Sequence, residues 1–134
     1  MNKVIIHIDG GARGNPGPAA IGVIIGERSY QERIGETTNN VAEYKAAIFA
    51  LKKAKQLIGK KRSETEVEIR TDSELLYKQL NALYKIKDKE LQPLFVEIWN
   101  LQQDFQKVRF VYIKREQNRQ ADRLVNQALD TLAF

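Results

Sequence analysis

One stretch of this 134-residue chain restricts the fold more than any other: residues 4–20, with the sequence VIIHIDGGARGNPGPAA. Its first half is a run of mostly β-branched apolar residues, which predicts a strand buried on both faces. Asp9 follows where that strand should end, and four glycines and two prolines occur in the next nine residues. Two interpretations are open at this point. Either a metal ion neutralises the carboxylate, or Asp9 and Gly10 form a turn between two strands.

Composition excludes several kinds of site and favours others. The chain has no cysteine, which excludes disulfides and thiolate metal sites. Its single histidine, His7, excludes a site built from several imidazoles, and we predict that it is a packed strand residue. The net charge of +5 favours a polyanionic partner.

Length and hydropathy predict a single domain over residues 1–134 that does not associate with a membrane. No apolar run reaches the roughly 18 residues that would cross a membrane. The first residues lack the pattern of a signal peptide. A cytoplasmic location is therefore expected.

Hydrophobic periodicity predicts five strands and four helices in the order β-β-β-α-β-α-α-β-α. The predicted strands cover residues 3–9, 19–25, 30–35, 67–70 and 107–113. The predicted helices cover residues 41–58, 73–80, 91–105 and 118–132, and Trp99 is expected to pack beside the apolar face of the third helix. The short connection at 26–29 favours an antiparallel meander of the first three strands. The pattern as a whole predicts one mixed sheet with helices packed on it.

Four acidic residues occupy junctions between these predicted elements: Asp9, Glu43, Asp72 and Asp122. In a mixed sheet the carboxyl ends of parallel strands and the starts of the following helices gather at one edge. Four carboxylates gathered there would repel one another unless cations neutralised them, and oxygen ligands alone select Mg²⁺ or Mn²⁺. Two such ions about 4 Å apart would suit in-line displacement at phosphorus. Taken singly, each acid also has a simpler explanation as a helix cap, a dipole-favoured residue or a surface charge.

Four motifs carry a resemblance to a known family: DGGARGNPGPA at 9–19, TTNNVAE at 37–43, TDS at 71–73 and NRQADRL at 118–124. In this order and spacing they resemble the type 1 ribonucleases H, over residues 4–132. The resemblance implies an α/β ribonuclease H-like fold with a five-stranded mixed sheet. Its first three strands are antiparallel, its fourth and fifth are parallel to the first, and helices cover both faces.

The resemblance also implies an activity, namely an endonuclease that cleaves the RNA strand of RNA–DNA hybrids and leaves 3′-hydroxyl and 5′-phosphate ends. Asp9, Glu43, Asp72 and Asp122 would be its catalytic residues and would hold two Mg²⁺ ions, for which Mn²⁺ can substitute. By position, Asp9 would bridge both ions and Asp122 would share the ion that activates the attacking water. Glu43 and Asp72 would help to hold the ion on the leaving 3′-oxygen.

Further residues match positions that contact the substrate in this family. Gly10 and Gly11 would let the backbone approach the RNA ribose. Asn39 and Asn40 would contact the minor groove, with a helix cap and turn as the alternative explanation of both. The remaining implied contacts are Asn15 and Thr38 at a phosphate of the DNA strand, and Glu74, Arg115 and Asn118.

Three departures from the family pattern bear on substrate affinity, on product release and on one substrate contact. Residues 81–89 leave no room for the basic protrusion of many members, with Lys85, Lys87, Lys89 and the basic run 52–62 as partial substitutes. The loop before the last helix lacks the usual histidine, and Arg115 could take a related role. Glu74 stands where the family often has glutamine.

The residues leave two other functions open. The same fold and carboxylates could act on double-stranded RNA or as a different nuclease, or the chain could be a nucleic-acid-binding module without catalysis. A complete set of four carboxylates argues against the second, because clustered negative charge beside phosphates gives a pure binder no advantage. A monomer is expected.

Overall fold

A computed structural model describes residues 2–131, and within this range five strands and four helices follow one another in the predicted order. The strands are β1 (Asn2–Ala12), β2 (Gly17–Ile25), β3 (Arg28–Thr37), β4 (Thr65–Thr71) and β5 (Lys107–Tyr112). The helices are α1 (Asn39–Ile58), α2 (Glu74–Leu80), α3 (Gln92–Gln102) and α4 (Arg119–Asp130). Short 3₁₀ helices occupy Gly59–Glu64 and Arg115–Gln117.

The strands form one five-stranded sheet in the order β3-β2-β1-β4-β5. β1 pairs antiparallel with β2, and β2 pairs antiparallel with β3. β4 runs parallel to β1, and β5 runs parallel to β4. This topology confirms the predicted antiparallel meander and mixed sheet.

Helices cover both faces of the sheet, as predicted. α1 buries one face, in a core that includes Ile6 and Ile8 of β1 together with Ile21 and Val23 of β2. α4 lies on the other face, where Ala20 of β2 packs with three buried residues of the helix, Val125, Ala128 and Leu129.

The expectation that β1 is buried on both faces is wrong for its first half. Ile6 and Ile8 are fully buried, but Ile5, whose side chain points to the opposite face of the strand, is 38% exposed. The reason is that α4 packs mainly against β2 and β3 and leaves the outer face of β1 partly uncovered. His7, on the same outer face, is a partly buried strand residue, and burial together with the charge of Arg70 lowers its pKa.

Asp9 does not end its strand, which corrects the predicted boundary and removes the turn interpretation. β1 continues through Gly10 and Gly11 to Ala12, and Asp9 pairs with Gly22 of β2. What ends near Asp9 is the pairing with β4, whose last register partners are His7 and Arg70. The carboxylate therefore lies where β1 is still paired with β2 but is no longer paired with β4.

The ends of three helices, α1, α3 and α4, are compared with their predicted positions. The Thr38 side chain accepts a hydrogen bond from the Val41 N–H at 3.2 Å and so starts α1 two residues earlier than predicted. Gly59, with φ of 69°, ends α1 as expected. α3 ends at Gln102, and its Trp99 is 54% exposed, so the expectation that Trp99 packs is wrong. The predicted end of the last helix at Leu132 lies outside the described residues.

Two glycines let helices approach the β1–β2 pair from opposite faces. A Cβ on Gly10 would lie 2.4 Å from the backbone carbonyl of Ala42 in α1. A Cβ on Gly22 would lie 2.4 Å from the carbonyl oxygen of Ala121 in α4. Since Gly22 is the register partner of Asp9, α4 contacts the sheet directly beside that carboxylate. No helix within residues 2–131 is both long and apolar enough to span a membrane.

We expect Gly22→Ala to displace α4, because the added methyl group would overlap the Ala121 carbonyl and approach the Leu124 Cβ to 2.9 Å. Overpacking of this kind typically costs about 1–3 kcal/mol, which chemical denaturation would measure. Gly26→Asn is the matched control, because asparagine tolerates the positive φ of 59° and a Cβ there meets nothing within 4 Å. An unchanged unfolding midpoint for Gly22→Ala would contradict this role.

Candidate active site

A cleft of about 410 Å³ opens at the edge of the sheet where β1 and β4 separate. Its walls come from the end of β1, the start of α1, the end of β4 and the face of α4 that carries Asp122, Val125, Asn126 and Leu129. All four sequence-predicted carboxylates line this cleft, namely Asp9, Glu43, Asp72 and Asp122. The fold therefore brings together four residues that are separated by as many as 113 positions in the chain.

Three of the four carboxylates lie close enough to share one cation. Asp9, Glu43 and Asp72 each offer an oxygen, and these oxygens lie within 4.8 Å of one another. Asp9 is only 8% exposed. Glu43 is held in place by the Gly10 N–H, which donates to its Oε1 at 2.7 Å. This donor is available because β4 no longer runs beside β1 at Gly10.

Asp122 is the fourth acid of the cleft and comes from α4, which packs on the other face of the sheet from α1. It lies in the first turn of α4 and is exposed, and its charge contributes to raising the pKa of Asp9. The contact between Ala121 and Gly22 places this turn of α4 against β2. The tight helix packing described above therefore also positions the fourth carboxylate.

Asn118 connects the carboxylates to the sheet. Its Nδ2 donates to the Ile8 carbonyl at 2.8 Å and to Asp72 Oδ2 at 3.3 Å, and the residue is 1% exposed. Its Oδ1 accepts no hydrogen bond within the described part of the chain. This burial argues against the direct substrate contact implied by the family resemblance. We interpret Asn118 as the residue that fixes Asp72 relative to β1.

Burial and mutual repulsion raise the pKa of three acids in the metal-free cluster. Burial, followed by the charges of Asp72 and Asp122, raises the pKa of Asp9 to about 8. Burial and the neighbouring carboxylates raise the pKa of Glu43 well above its usual range. Burial also raises the pKa of Asp72, against the opposing effects of the Asn118 hydrogen bond and the Arg115 charge. At neutral pH a cation that binds here would compete with the proton on Asp9.

The donor set fits Mg²⁺ or Mn²⁺. Carboxylate oxygens are the ligands that hard divalent cations prefer, and the site contains no thiolate or imidazole. Burial and the neighbouring carboxylates raise the pKa of Asp9, whereas the charge of Arg115 opposes the rise only at Asp72. A divalent cation would supply further positive charge.

The residues around the start of α1 form a hydrogen-bonded corner beside the cleft. Asn39 lines the cleft, and its Oδ1 accepts from the Ala12 N–H at 2.8 Å. Asn15 Oδ1 accepts from the Asn39 N–H at 3.0 Å. Thr38 is the helix cap, so the capping alternative applies to Thr38 and not to Asn39 or Asn40. Asn40 is exposed on the first turn of α1.

The other predicted substrate contacts fall in different places. Gly10, Gly11 and Arg115 line the cleft. Packing alone also requires glycine at position 10, since α1 lies directly against the Gly10 backbone. Glu74 lies at the exposed start of α2, outside the cleft lining, where it pairs with Lys78 at 3.4 Å.

Two polar residues of the cleft were missed in the sequence. Arg13 lies in the glycine-rich connection after β1, and Asn126 lies one helical turn after Asp122 in α4. The signal for Arg13 was present, because it is the one charged residue among the small residues that follow Asp9. Asn126 had no signal apart from its spacing of four residues from Asp122.

A mixed sheet with carboxylates gathered where two parallel strands separate defines an α/β protein with a candidate divalent-metal site. The family model described as "Reverse transcriptase-like" matches residues 7–128. The structure is similar to that of LC11-RNase H1, isolated from compost by a metagenomic approach, with 47% identity, a TM-score of 0.91 and 98% of each chain covered. A structure of LC11-RNase H1 in complex with an RNA/DNA hybrid matches with 45% identity, a TM-score of 0.90 and coverage of 96% of this chain and 97% of that one.

Two curated relatives extend the comparison. The "Bifunctional protein Rv2228c" of Mycobacterium tuberculosis is 36% identical over 98% of this chain, and ribonuclease HI of Halobacterium salinarum is 36% identical over 96% of it. The chain spans 36% of the length of the first relative and 65% of the second. It belongs to the type 1 ribonuclease H family of nucleases.

We expect the metal-free protein to lose stability as pH rises from about 4 to 8. In this interval folded Asp9 keeps a proton that the unfolded chain has lost, because its pKa rises from 3.8 to about 8 on folding. Asp9→Asn cannot ionise. It should therefore be more stable than the wild type at pH 8 in a chelating buffer, by at least about 1 kcal/mol, since one pKa unit corresponds to about 1.4 kcal/mol.

Chemical denaturation at pH 5 and pH 8 measures this difference. Asp104→Asn is the control, because its carboxylate lies on the surface and pairs with Lys55 at 2.9 Å. Equal pH dependence in Asp9→Asn and the wild type would contradict the expected repulsion in the cleft.

Proposed function

We propose that this chain is an endoribonuclease that cleaves the RNA strand of RNA–DNA hybrids and leaves 3′-hydroxyl and 5′-phosphate ends. The observation that carries the proposal is the placement of Asp9, Glu43 and Asp72 with oxygens within 4.8 Å of one another. The similarity to a nuclease solved in complex with an RNA/DNA hybrid supports the substrate class.

The four carboxylates would hold two Mg²⁺ ions, with Mn²⁺ as a substitute. Asp9 would be shared between the ions, because its oxygen lies within 4.8 Å of those of Glu43 and Asp72, and Asp122 is close enough to raise its pKa. Bound divalent ions would supply an activated water and compensate charge on the leaving oxygen. No cysteine or histidine lines the cleft to act as nucleophile or base within the protein.

The chain's own residues would orient the site. Asn118 fixes Asp72 on the Ile8 carbonyl, and the Gly10 N–H fixes Glu43. Both acids are therefore held before substrate arrives, which limits the reorganisation needed on binding. Arg115 lines the cleft, and its charge acts on Asp72. It would offset the accumulated negative charge as a phosphate enters.

Hybrid recognition would rest on shape and on the 2′-hydroxyls of the wide minor groove. The corner formed by Asn15, Thr38 and Asn39 at the start of α1 would contact the backbone, with exposed Asn40 reaching the groove. Of the basic segments, exposed Lys85, Lys87 and Lys89 are better placed to bind nucleic acid than the run 52–62. In that run Lys52 pairs with Glu97 at 3.0 Å and Lys55 with Asp104 at 2.9 Å.

The direct test is a cleavage assay on a matched RNA–DNA hybrid, an RNA duplex and a DNA duplex, with Mg²⁺, Mn²⁺ or chelator. We expect metal-dependent cleavage of the RNA strand in the hybrid. Asp72→Asn should lower the rate more than the roughly 10–100-fold loss typical of residues that only orient a metal ligand. The surface variant Asp104→Asn should cleave at the wild-type rate.

Several outcomes would contradict the proposal. Faster cleavage of the RNA duplex would assign the site to double-stranded RNA. Metal-independent hybrid binding without turnover would indicate a binding module. Near-wild-type cleavage by a correctly folded Asp72→Asn variant would exclude the carboxylates as the catalytic metal ligands.

A further inference from the structure

Arg13 lines the carboxylate cleft without contacting any of the four acids. It lies in the connection between β1 and β2, where its backbone N–H donates to the Pro18 carbonyl at 2.8 Å. Its side chain is 47% exposed. The residue thus combines a fixed backbone with a guanidinium that solvent, or a ligand in the cleft, can reach.

The guanidinium is held against the last turns of α4. Arg13 Nη2 donates to Asp130 Oδ1 at 2.6 Å and makes longer contacts of 3.4 Å to the Oδ1 and the backbone carbonyl of Asn126. All three contacts use the same nitrogen. A guanidinium carries five N–H donors in a planar fork. Within residues 2–131 neither Nε nor Nη1 of Arg13 has a hydrogen-bond acceptor.

The position of Asp130 on α4 places Arg13 at one end of the cleft. Asp122, Asn126 and Asp130 are spaced four residues apart and therefore follow one face of the helix. Eight residues of helix correspond to about 12 Å, so Arg13 is anchored roughly that far along α4 from Asp122. Arg115 precedes the start of α4. Along α4, Asp122 therefore lies between Arg115, which precedes the helix, and Arg13, which is anchored at its last turns.

A stability role alone accounts poorly for this arrangement. A solvent-exposed ion pair contributes little to folding, and both partners here are well exposed, at 47% and 67%. A strand of nucleic acid whose scissile phosphate lies over the acids must carry further phosphates along the cleft. Arginine is the residue best suited to bind them, because its fork matches two phosphate oxygens.

We propose that Arg13 binds a backbone phosphate of the RNA strand, at the end of the cleft formed by the last turns of α4. Asp130 holds the guanidinium in position before substrate binds, and the free donors of Arg13 engage the phosphate. This inference rests on the proposed function, since it takes the cleaved strand to be the strand in the cleft. It adds a positioning contact that no carboxylate of the site can supply.

The variants Arg13→Gln and Asp130→Asn distinguish phosphate binding by Arg13 from a purely structural role of the Arg13–Asp130 ion pair. Both variants break the same ion pair, so a purely structural role predicts the same change in both. If Arg13 binds phosphate, Arg13→Gln should raise KM for the hybrid about tenfold with little change in kcat. Asp130→Asn should keep or lower KM, because it removes a carboxylate that competes for the guanidinium.

The salt dependence of hybrid binding gives a second measurement. Loss of a purely structural Arg13–Asp130 ion pair would not change it. The slope of log affinity against log salt should fall by about 0.7–0.9 in Arg13→Gln, as expected for one lost phosphate contact, and should be retained in Asp130→Asn. Thermal melts verify folding of both variants. If Arg13→Gln does not fold, Arg13→Lys replaces it, and should keep the slope while raising KM because the fork is lost.

The outcomes distinguish this inference from the proposed function. If the wild type does not cleave the hybrid, the proposed function fails, and this inference with it. If the wild type cleaves but both variants change KM and slope equally, only the assignment of Arg13 is overturned. A wild-type KM and slope in Arg13→Gln would overturn it as well.

Discussion

The site depends on how closely two helices approach the β1–β2 strand pair. At Gly10 the backbone of α1, and at Gly22 the backbone of α4, lie where a side chain would otherwise be. These contacts fall on opposite faces of the sheet and flank Asp9, which is the neighbour of Gly10 in sequence and of Gly22 across the strands. Each helix carries an acid next to its contact point, Glu43 after Ala42 and Asp122 after Ala121. Close packing therefore also brings the charges together.

That packing creates an unfavourable charge distribution in the metal-free protein. Burial raises the pKa of Asp9, Glu43 and Asp72, and the carboxylates raise one another further. The protein offers only partial relief, through the Gly10 N–H on Glu43, the Asn118 amide on Asp72 and the Arg115 charge. Folding energy from the apolar core holds the acids together, and a bound cation would offset the cost of ionising them. The clustering of the acids therefore lowers the stability of the metal-free protein, and the same clustering favours cation binding.

Sequence periodicity predicted the order of elements and the mixed sheet because the spacing of apolar residues differs between a helix and a strand that each bury one face. It failed where burial depends on a distant element. Ile5 and Trp99 are apolar and are exposed, since α4 covers β2 and β3 but not all of β1, and the outer side of α3 has no neighbour within the described residues. The motifs identified the four carboxylates, whereas the buried position of Asn118 follows from three-dimensional contacts alone. The lone charge of Arg13 after Asp9 was visible in the sequence, but its partners Asn126 and Asp130 were not, because they are more than 100 residues away.

The central claim is that a divalent cation replaces protons on these buried acids. Calorimetric titration of the metal-free protein with Mg²⁺ at pH 7, in buffers of different ionisation enthalpy, counts the protons released on binding. With the pKa of Asp9 raised to about 8, the account predicts net release of about one proton or more per protein molecule. Mg²⁺ binding in the cleft with no proton release would show that the acids are already ionised, and would contradict it.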